Sequence, residues 1–216
     1  MSHYTRLLLL RHGETQANRE MRYIGSGTDN ELSEQGFRQA ELLAAALATL
    51  PVRAVYSSPL QRAHQTALPI AASHKLEVQT LQELREMHFG SWEGLTRSEV
   101  AARSEQDALH LQDWHRDPLI APPGGESMEM VQQRVRAVVE RLAQIHEQQT
   151  IVLVTHVVPI KALLCAALAA PLSTTFSLFL DPATISVIDW RQPYPIVRLF
   201  NSHAHLGWES ARWMQM

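Results

Sequence analysis

Cysteine is nearly missing from this chain. A single one, Cys165, stands among 216 residues, so no internal disulfide can form and no zinc-finger spacing can be written. It lies within the apolar run "KALLCAALAA" and reads as a small buried hydrophobe rather than a nucleophile. Long hydrophobic runs are missing too. "MSHYTRLLLLRHGE" holds four consecutive leucines, too few for a signal-peptide core or a membrane span, and no later run reaches membrane length. There is no excess of positive charge: 19 Lys and Arg against 22 Asp and Glu give a formal net charge of -3. That balance leaves no footprint for nucleic acid, although it allows a local basic pocket. No HExxH occurs and the 11 histidines are scattered, so nothing indicates a metal site. Internal repeats and low-complexity tracts are also lacking. These absences imply a protein of a reducing, cytoplasmic compartment, with neither a membrane nor a nucleic acid as partner.

What is present suits a folded enzyme-sized unit. Hydrophobic residues make up 45% and charged residues 19%, enough apolar material for a sizeable core. The length implies a single domain over residues 1–216, with an inserted sub-region at about 87–125. "TRLLLLR" (Thr5–Arg11) is short, apolar on both faces and followed by His12-Gly13, as expected of a central strand covered on both sides. Ser33 caps a predicted helix with Phe37, Ala40, Ala44 and Leu47 on one face. "VRAVYSS" predicts a second strand, and Ser58-Pro59 predicts a helix start there, running to about Ala72. "EVQTL" is a weak third strand. Ser127 caps a long predicted helix striped by Val131, Val135, Val138, Leu142 and Ile145. "TIVLVTH" (Thr150–His156) predicts another buried strand, with Pro159 opening the next helix, and "TISVIDW" and "PIVRLF" predict two closing strands. Between Glu83 and Ser127 the texture turns polar, holds Trp92 and Trp114, and ends in Pro-Pro-Gly-Gly. An irregular helical insertion beside the sheet is expected there, with a flexible exit.

Strands alternating with helices imply an α/β fold: a three-layer αβα sandwich with a mostly parallel central sheet. Ligands of such sheets bind beyond the carboxyl ends of the strands. Two of the predicted strands end in a histidine, His12 and His156, and Arg62 falls in the first turn of the helix after a third. Gly13 is expected to let the chain turn sharply so that Arg11 and His12 face one ligand.

"LLLLRHGETQAN", "SSPLQRAHQTA", "LREMHFGSWEG" and "VLVTHVVPIK" occur in that order. Together they resemble the histidine phosphatase superfamily, the phosphoglycerate-mutase-like proteins, over nearly the whole chain. The resemblance implies that His12 is a nucleophile that becomes a phosphohistidine. It implies that Arg11, Arg62 and His156 hold the phosphoryl oxygens, and that Glu86 is the general acid and then the base. Asn18, Gly25, Val157 and Trp114 are the expected substrate contacts. The chemistry suits these residue types. Phosphoryl transfer is mostly positioning and electrostatics. Arginine presents a planar donor fork that matches phosphate. Nearby cations keep an imidazole neutral and nucleophilic, and a leaving alkoxide needs a proton. Two arginines and a second histidine can neutralise a dianion, so no cofactor is expected.

The mutase branch of the family carries an insertion with paired arginines, and "HGNSLR" after its second histidine. Here "HLQDWHRDPLIAPPGGES" holds Arg116 as its one arginine, and the stretch from His156 reads "HVVPIK". A phosphatase of small phosphorylated metabolites is therefore expected, with the α-ribazole phosphatase and broad-specificity branches most similar. A mutase, and a phospho-ligand binding protein on the same fold, are the alternatives. A homodimer is left open. The insertion, with Trp92, Trp114, His115 and Leu119, is expected to form a lid that selects the leaving alcohol, and Glu83 and Glu93 to be surface carboxylates.

Overall fold

The computed structural model describes residues 4–211 and 214. Its centre is a six-stranded sheet in the order β3-β2-β4-β1-β5-β6. The strands are β1 (Thr5–Arg11), β2 (Val52–Ser57), β3 (Val78–Thr80), β4 (Thr150–Thr155), β5 (Ile185–Trp190) and β6 (Ile196–Ser202); the α-helices among them begin with the short α1 (Gln16–Arg19), and α4 (Arg97–Arg103) and α5 (Glu105–Trp114) lie in the insertion. β1, β2, β3 and β4 pair in parallel, while β5 and β6 close one edge antiparallel.

The four leucines of β1 show why this strand is central. Successive side chains of a strand point to opposite faces. Leu8 and Leu10 pack under α2 (Glu34–Leu47) and α3 (Gln61–Ser73), with Leu43, Ala67 and Ile70. Leu7 and Leu9 pack on the other face under α6 (Met128–Ile145) and α7 (Val157–Leu168), with Val135 and Ile160. A strand buried on both faces needs apolar residues at every position, so it shows no alternation. The helices lie on both faces, which is the three-layer arrangement expected.

Several local expectations are corrected. Phe37 and Ile145 are exposed; Leu43 and Val139 take the core positions instead. α3 begins at Gln61 rather than Pro59, with Leu60 and not Ser58 at its N-cap and no side chain capping it; Ser58 Oγ accepts the Leu60 N–H at 3.3 Å. α7 starts at Val157, so Pro159 sits inside its first turn, where it lacks a donor no helix partner would use. Gly13 is not in a left-handed conformation. Its role is proximity: a Cβ there would lie 2.6 Å from the Gly36 carbonyl oxygen on α2. Leu109, Leu119 and other insertion residues are exposed, but the exit of the insertion is stitched rather than loose. Ser91 N–H donates to the Pro123 carbonyl at 2.9 Å and Glu126 N–H to the His88 carbonyl at 2.8 Å. Among the described residues no helix is long and apolar enough to cross a membrane.

Candidate active site

Strand register brings the two histidines together. β1 and β4 pair with Arg11 opposite Thr155, and the His12 N–H donates to the Thr155 carbonyl at 3.0 Å. The residues that follow, His12 and His156, therefore leave the sheet side by side, their ring centroids 5.0 Å apart. Both are buried. His12 Nδ1 lies 2.7 Å from the Gly13 carbonyl oxygen. A carbonyl only accepts, so Nδ1 carries the proton and Nε2 keeps its lone pair. Burial, and then the charges of Arg62 and Arg11, hold His12 well below the usual histidine range, so the ring is neutral. His156 is lowered in the same way by burial and Arg62. Its Nε2 lies 2.7 Å from Ser58 Oγ, while its Nδ1 is buried with no hydrogen-bond partner among the described residues.

Arg62 enters from α3. Its Nη1 donates to the Thr28 carbonyl at 3.1 Å and its Nη2 to the Gly25 carbonyl at 3.0 Å. Thr66 ties this helix to the loop after His12, accepting the Gly13 N–H at 2.9 Å while donating to the Arg62 carbonyl. Arg11 is anchored from behind by the Leu180 carbonyl. Glu86 is also buried. Its Oε1 accepts from Met87 N–H (2.8 Å) and Val158 N–H (3.3 Å), and its Oε2 from Val157 N–H (3.1 Å). The last two donors open α7, so the carboxyl sits at a helix N-terminus. Burial still outweighs the Met87 N–H and the charge of Arg62, and Glu86 is raised above the ordinary carboxylate range.

A cavity of about 350 Å³ opens above these groups. Arg11, His12, Arg62 and Glu86 form its floor, and Asn18 lies at the same end. Asn18 Oδ1 accepts the Thr15 N–H at 3.1 Å, which fixes the amide beside the cavity. Tyr23, Phe89, Trp114, His115 and Phe176 build an aromatic wall, and Val157, Val158 and Lys161 of α7 line another side.

Of the expected site residues, His12, Arg11, Arg62, Glu86, Asn18, Val157 and Trp114 meet in this cavity. His156 stands behind His12 and does not line it. Gly25 does not line it either: its carbonyl holds Arg62, and a Cβ on it would lie 2.2 Å from the Met87 carbonyl oxygen. The Val157 N–H, expected to meet substrate, is taken by Glu86. The lid residues divide. Trp114 and His115 line the cavity, Trp92 is wholly buried among Tyr23, His110 and Trp114, and Leu119 faces solvent.

Three supporting residues escaped the sequence reading. Arg134 of α6 donates to the carbonyls of Glu83 (2.7 Å), Arg85 (2.8 Å) and Glu86 (3.0 Å), and pairs with both carboxylate oxygens of Glu126. Its signal was an arginine among the valines of an apolar stripe. Glu93 is no idle surface carboxylate. It accepts from the N–H groups of Gly25, Gly27 and Phe89 and from Thr28 Oγ1, which fixes the loop whose carbonyls grip Arg62. Lys161 is the third, a lone charge on an apolar helix. Glu83, by contrast, is the surface carboxylate expected, paired with Arg141 at 3.2 Å. Among the described residues no group of three or more His, Cys, Asp or Glu is placed to hold a metal ion.

The model of the histidine phosphatase superfamily (branch 1) matches residues 7–203. A bifunctional protein of Mycobacterium tuberculosis is 43% identical over 204 residues, which are 94% of this chain and 55% of that protein, so the chain spans about half the length of that relative. Phosphoserine phosphatase 1 of Hydrogenobacter thermophilus is 37% identical over 203 residues, 94% of both chains. The adenosylcobalamin/alpha-ribazole phosphatase of Escherichia coli is 33% identical over 207 residues, 95% of this chain and 100% of the other. The solved structure of YhfR from Bacillus stearothermophilus matches with a TM-score of 0.86 at 31% identity, covering 94% of this chain and 100% of the other.

Proposed function

This chain belongs to the histidine phosphatase superfamily, and on that premise we propose that it is a phosphomonoesterase of small phosphorylated metabolites that works through a phosphohistidine. The observation that carries the reading is the His12 ring: neutral, with its Nδ1 proton given to Gly13 and its Nε2 lone pair left for attack beside two arginines. Nε2 attacks the phosphorus atom and the ester P–O bond breaks. Glu86, whose buried carboxyl is raised above the ordinary carboxylate range, gives a proton to the departing alcohol oxygen from its protonated form. The carboxylate left behind then takes a proton from water, whose oxygen attacks the phosphohistidine and releases inorganic phosphate. Arg11 and Arg62 balance the phosphoryl charge throughout. His156 backs the His12 ring, with its Nε2 against the Ser58 hydroxyl.

Where Glu86 turns toward the leaving oxygen it releases the N–H groups of Val157 and Val158, which then become available to the phosphoryl oxygens. The alcohol is a small metabolite that fits the aromatic wall. Alpha-ribazole 5'-phosphate is one candidate and phosphoserine another, after relatives that bear those names. The test is phosphate release from an aryl phosphate in the presence of EDTA, with mass spectrometry of acid-free quenched protein. Phosphate on His12 is the expected result; phosphate on a serine, or an absolute need for added divalent metal, overturns the mechanism.

A further inference from the structure

The cavity holds more positive charge than one phosphoryl group requires. Arg11 and Arg62 stand at the floor, and two more cations, Arg22 and Lys161, line the walls. Arg22 is already engaged: Nε meets Glu20 at 2.7 Å, and Nη1 meets Glu99 and the Gly94 carbonyl at 2.8 Å each. Lys161 has no hydrogen bond or ion pair with any described residue, although it is partly buried. It is the only charged residue of α7, "VVPIKALLCAAL", whose neighbours Val158, Ile160, Ala162 and Leu164 are buried. It follows Val157 by four residues, so both lie on one face of the helix, and helical side chains lean toward the N-terminus. The ammonium is thereby directed toward the end of the helix where Glu86 sits. A partly buried ammonium without a hydrogen bond is costly; burial, and then Arg11, bring it down to about 8 against the opposing attraction of Glu86. An anion supplied by the ligand would relieve that cost.

We propose that Lys161 is a specificity-determining residue whose ammonium pairs with a carboxylate on the alcohol portion of the substrate, so that the chain favours phosphorylated hydroxy acids over phosphate esters of uncharged alcohols. The inference rests on the phosphomonoesterase reading and deepens it. One compact ammonium matches one carboxylate; a second phosphoryl dianion calls for a fork or a pair of cations, as at the floor. The two floor arginines already match the charge of the phosphoryl group, which leaves Lys161 for another part of the ligand.

3-Phosphoglycerate and glycerol 3-phosphate test this, because they differ by a carboxylate in place of a hydroxymethyl group. The native chain is expected to favour the carboxylate by about tenfold or more in kcat/KM, the size of one charge-assisted hydrogen bond. Lys161→Met keeps the length of the side chain and removes its charge, and the ratio should fall close to one. Lys161→Arg should keep the preference. A parallel loss on both substrates means that Lys161 grips the phosphoryl group and overturns the proposal, as does a native chain with no preference. Calorimetric binding of the same two compounds to His12→Ala, with and without Lys161→Met, reads the same preference without turnover. Lys161-dependent preference in binding, with no phosphate release by the native chain from any ester, sinks the phosphomonoesterase reading alone. Release from an aryl phosphate, with no Lys161-dependent preference in either assay, sinks the Lys161 assignment alone.

Discussion

The floor of the cavity comes from strand ends and its cover from an irregular segment, and the two are held by different forces. On the floor, backbone register sets positions. His12 is held by the Thr155 carbonyl through its N–H and by the Gly13 carbonyl through Nδ1, and Arg62 is fixed by two carbonyls of the 25–28 loop. These are directional bonds in a buried place, where a lost partner leaves a polar group unsatisfied. In the cover, ring packing sets positions. Trp114 meets Tyr23, Phe89, Trp92, His115 and Phe176 edge-on, with centroids 4.7–6.2 Å apart. Such contacts adapt to altered shape at modest cost. The floor should therefore answer substitution all-or-none, and the cover by degrees.

The strongest test of that contrast is His12→Ala. Turnover should fall by on the order of 10⁴-fold or more for every ester, as expected on removal of a nucleophile. Near-ultraviolet circular dichroism should stay native. Residual turnover close to that of the native chain would place the nucleophile elsewhere.

Glu86→Gln comes next. It keeps the side-chain shape and removes the proton, so alkyl phosphates should lose about 10²–10⁴-fold in kcat, and activated aryl phosphates much less. The pH profile gives the sign. Glu86 is raised above its ordinary value and, as the proposed acid, acts when protonated, so kcat on alkyl phosphates should decline as pH rises through its pKa. That alkaline limb should vanish in the glutamine variant. His12 is lowered well below 6.5, so it stays neutral there, and no acid limb belongs near that pH. A profile for the glutamine variant that matches the native one would assign the acid to another group.

Arg134→Met lies between floor and cover, because Arg134 ties the segment carrying Glu86 to Glu126 at the base of the insertion. Three carbonyls lose a donor, and the mostly buried Glu126 carboxylate keeps only the His88 N–H at 3.0 Å and Arg85 at 3.6 Å, so unfolding in urea should show a loss of about 2–4 kcal/mol. Turnover of alkyl phosphates should fall by about tenfold through misplacement of Glu86. A lower stability with unchanged pH profile and kcat would reduce Arg134 to a support of the fold.

The same contrast marks what could be read in the sequence. Local signals carried the floor: a run of leucines without alternation, broken by Arg11, His12 and Gly13, is the pattern of a doubly buried strand reaching the carboxyl edge, and Thr150–His156 repeats it. Ser33 and Ser127 capped their helices as expected. The parts that could not be read depend on distant partners. Gly13 matters through Gly36, which approaches it only after α2 has docked. Arg134 and Glu93 act on backbone groups of other segments, and those leave no pattern in a one-dimensional chain. Lys161 had a signal, a charge where the helix should be apolar throughout. Trp92 and Trp114 have the same composition and opposite roles, because burial of the first is decided by the second packing over it.

The mildest effects belong to the rim, where His115, Trp114 and Leu119 can be set against one another. His115 Nδ1 lies 2.8 Å from the Leu111 carbonyl, so that nitrogen holds the proton and Nε2 can only accept. Burial keeps the ring below its usual range and hence neutral near pH 7. Its face stacks on Phe176 at 6.2 Å. His115→Ala should therefore change the ranking of substrates by kcat/KM a few-fold, most for alcohols with a donor to give. The Trp114 Nε1 is buried without a partner among the described residues. Trp114→Phe keeps the edge-on packing and forfeits no hydrogen bond in the free protein, so stability should drop by no more than about 1–2 kcal/mol. Substrates that pack against the indole ring should lose a few-fold, and a small aryl phosphate less. Leu119 is exposed and lines nothing, so Leu119→Ser should leave the ranking as it is. A steady-state comparison over one panel of esters separates the three. If all three variants lowered every substrate by one common factor, the cover would be a support for the floor and no selector of alcohols.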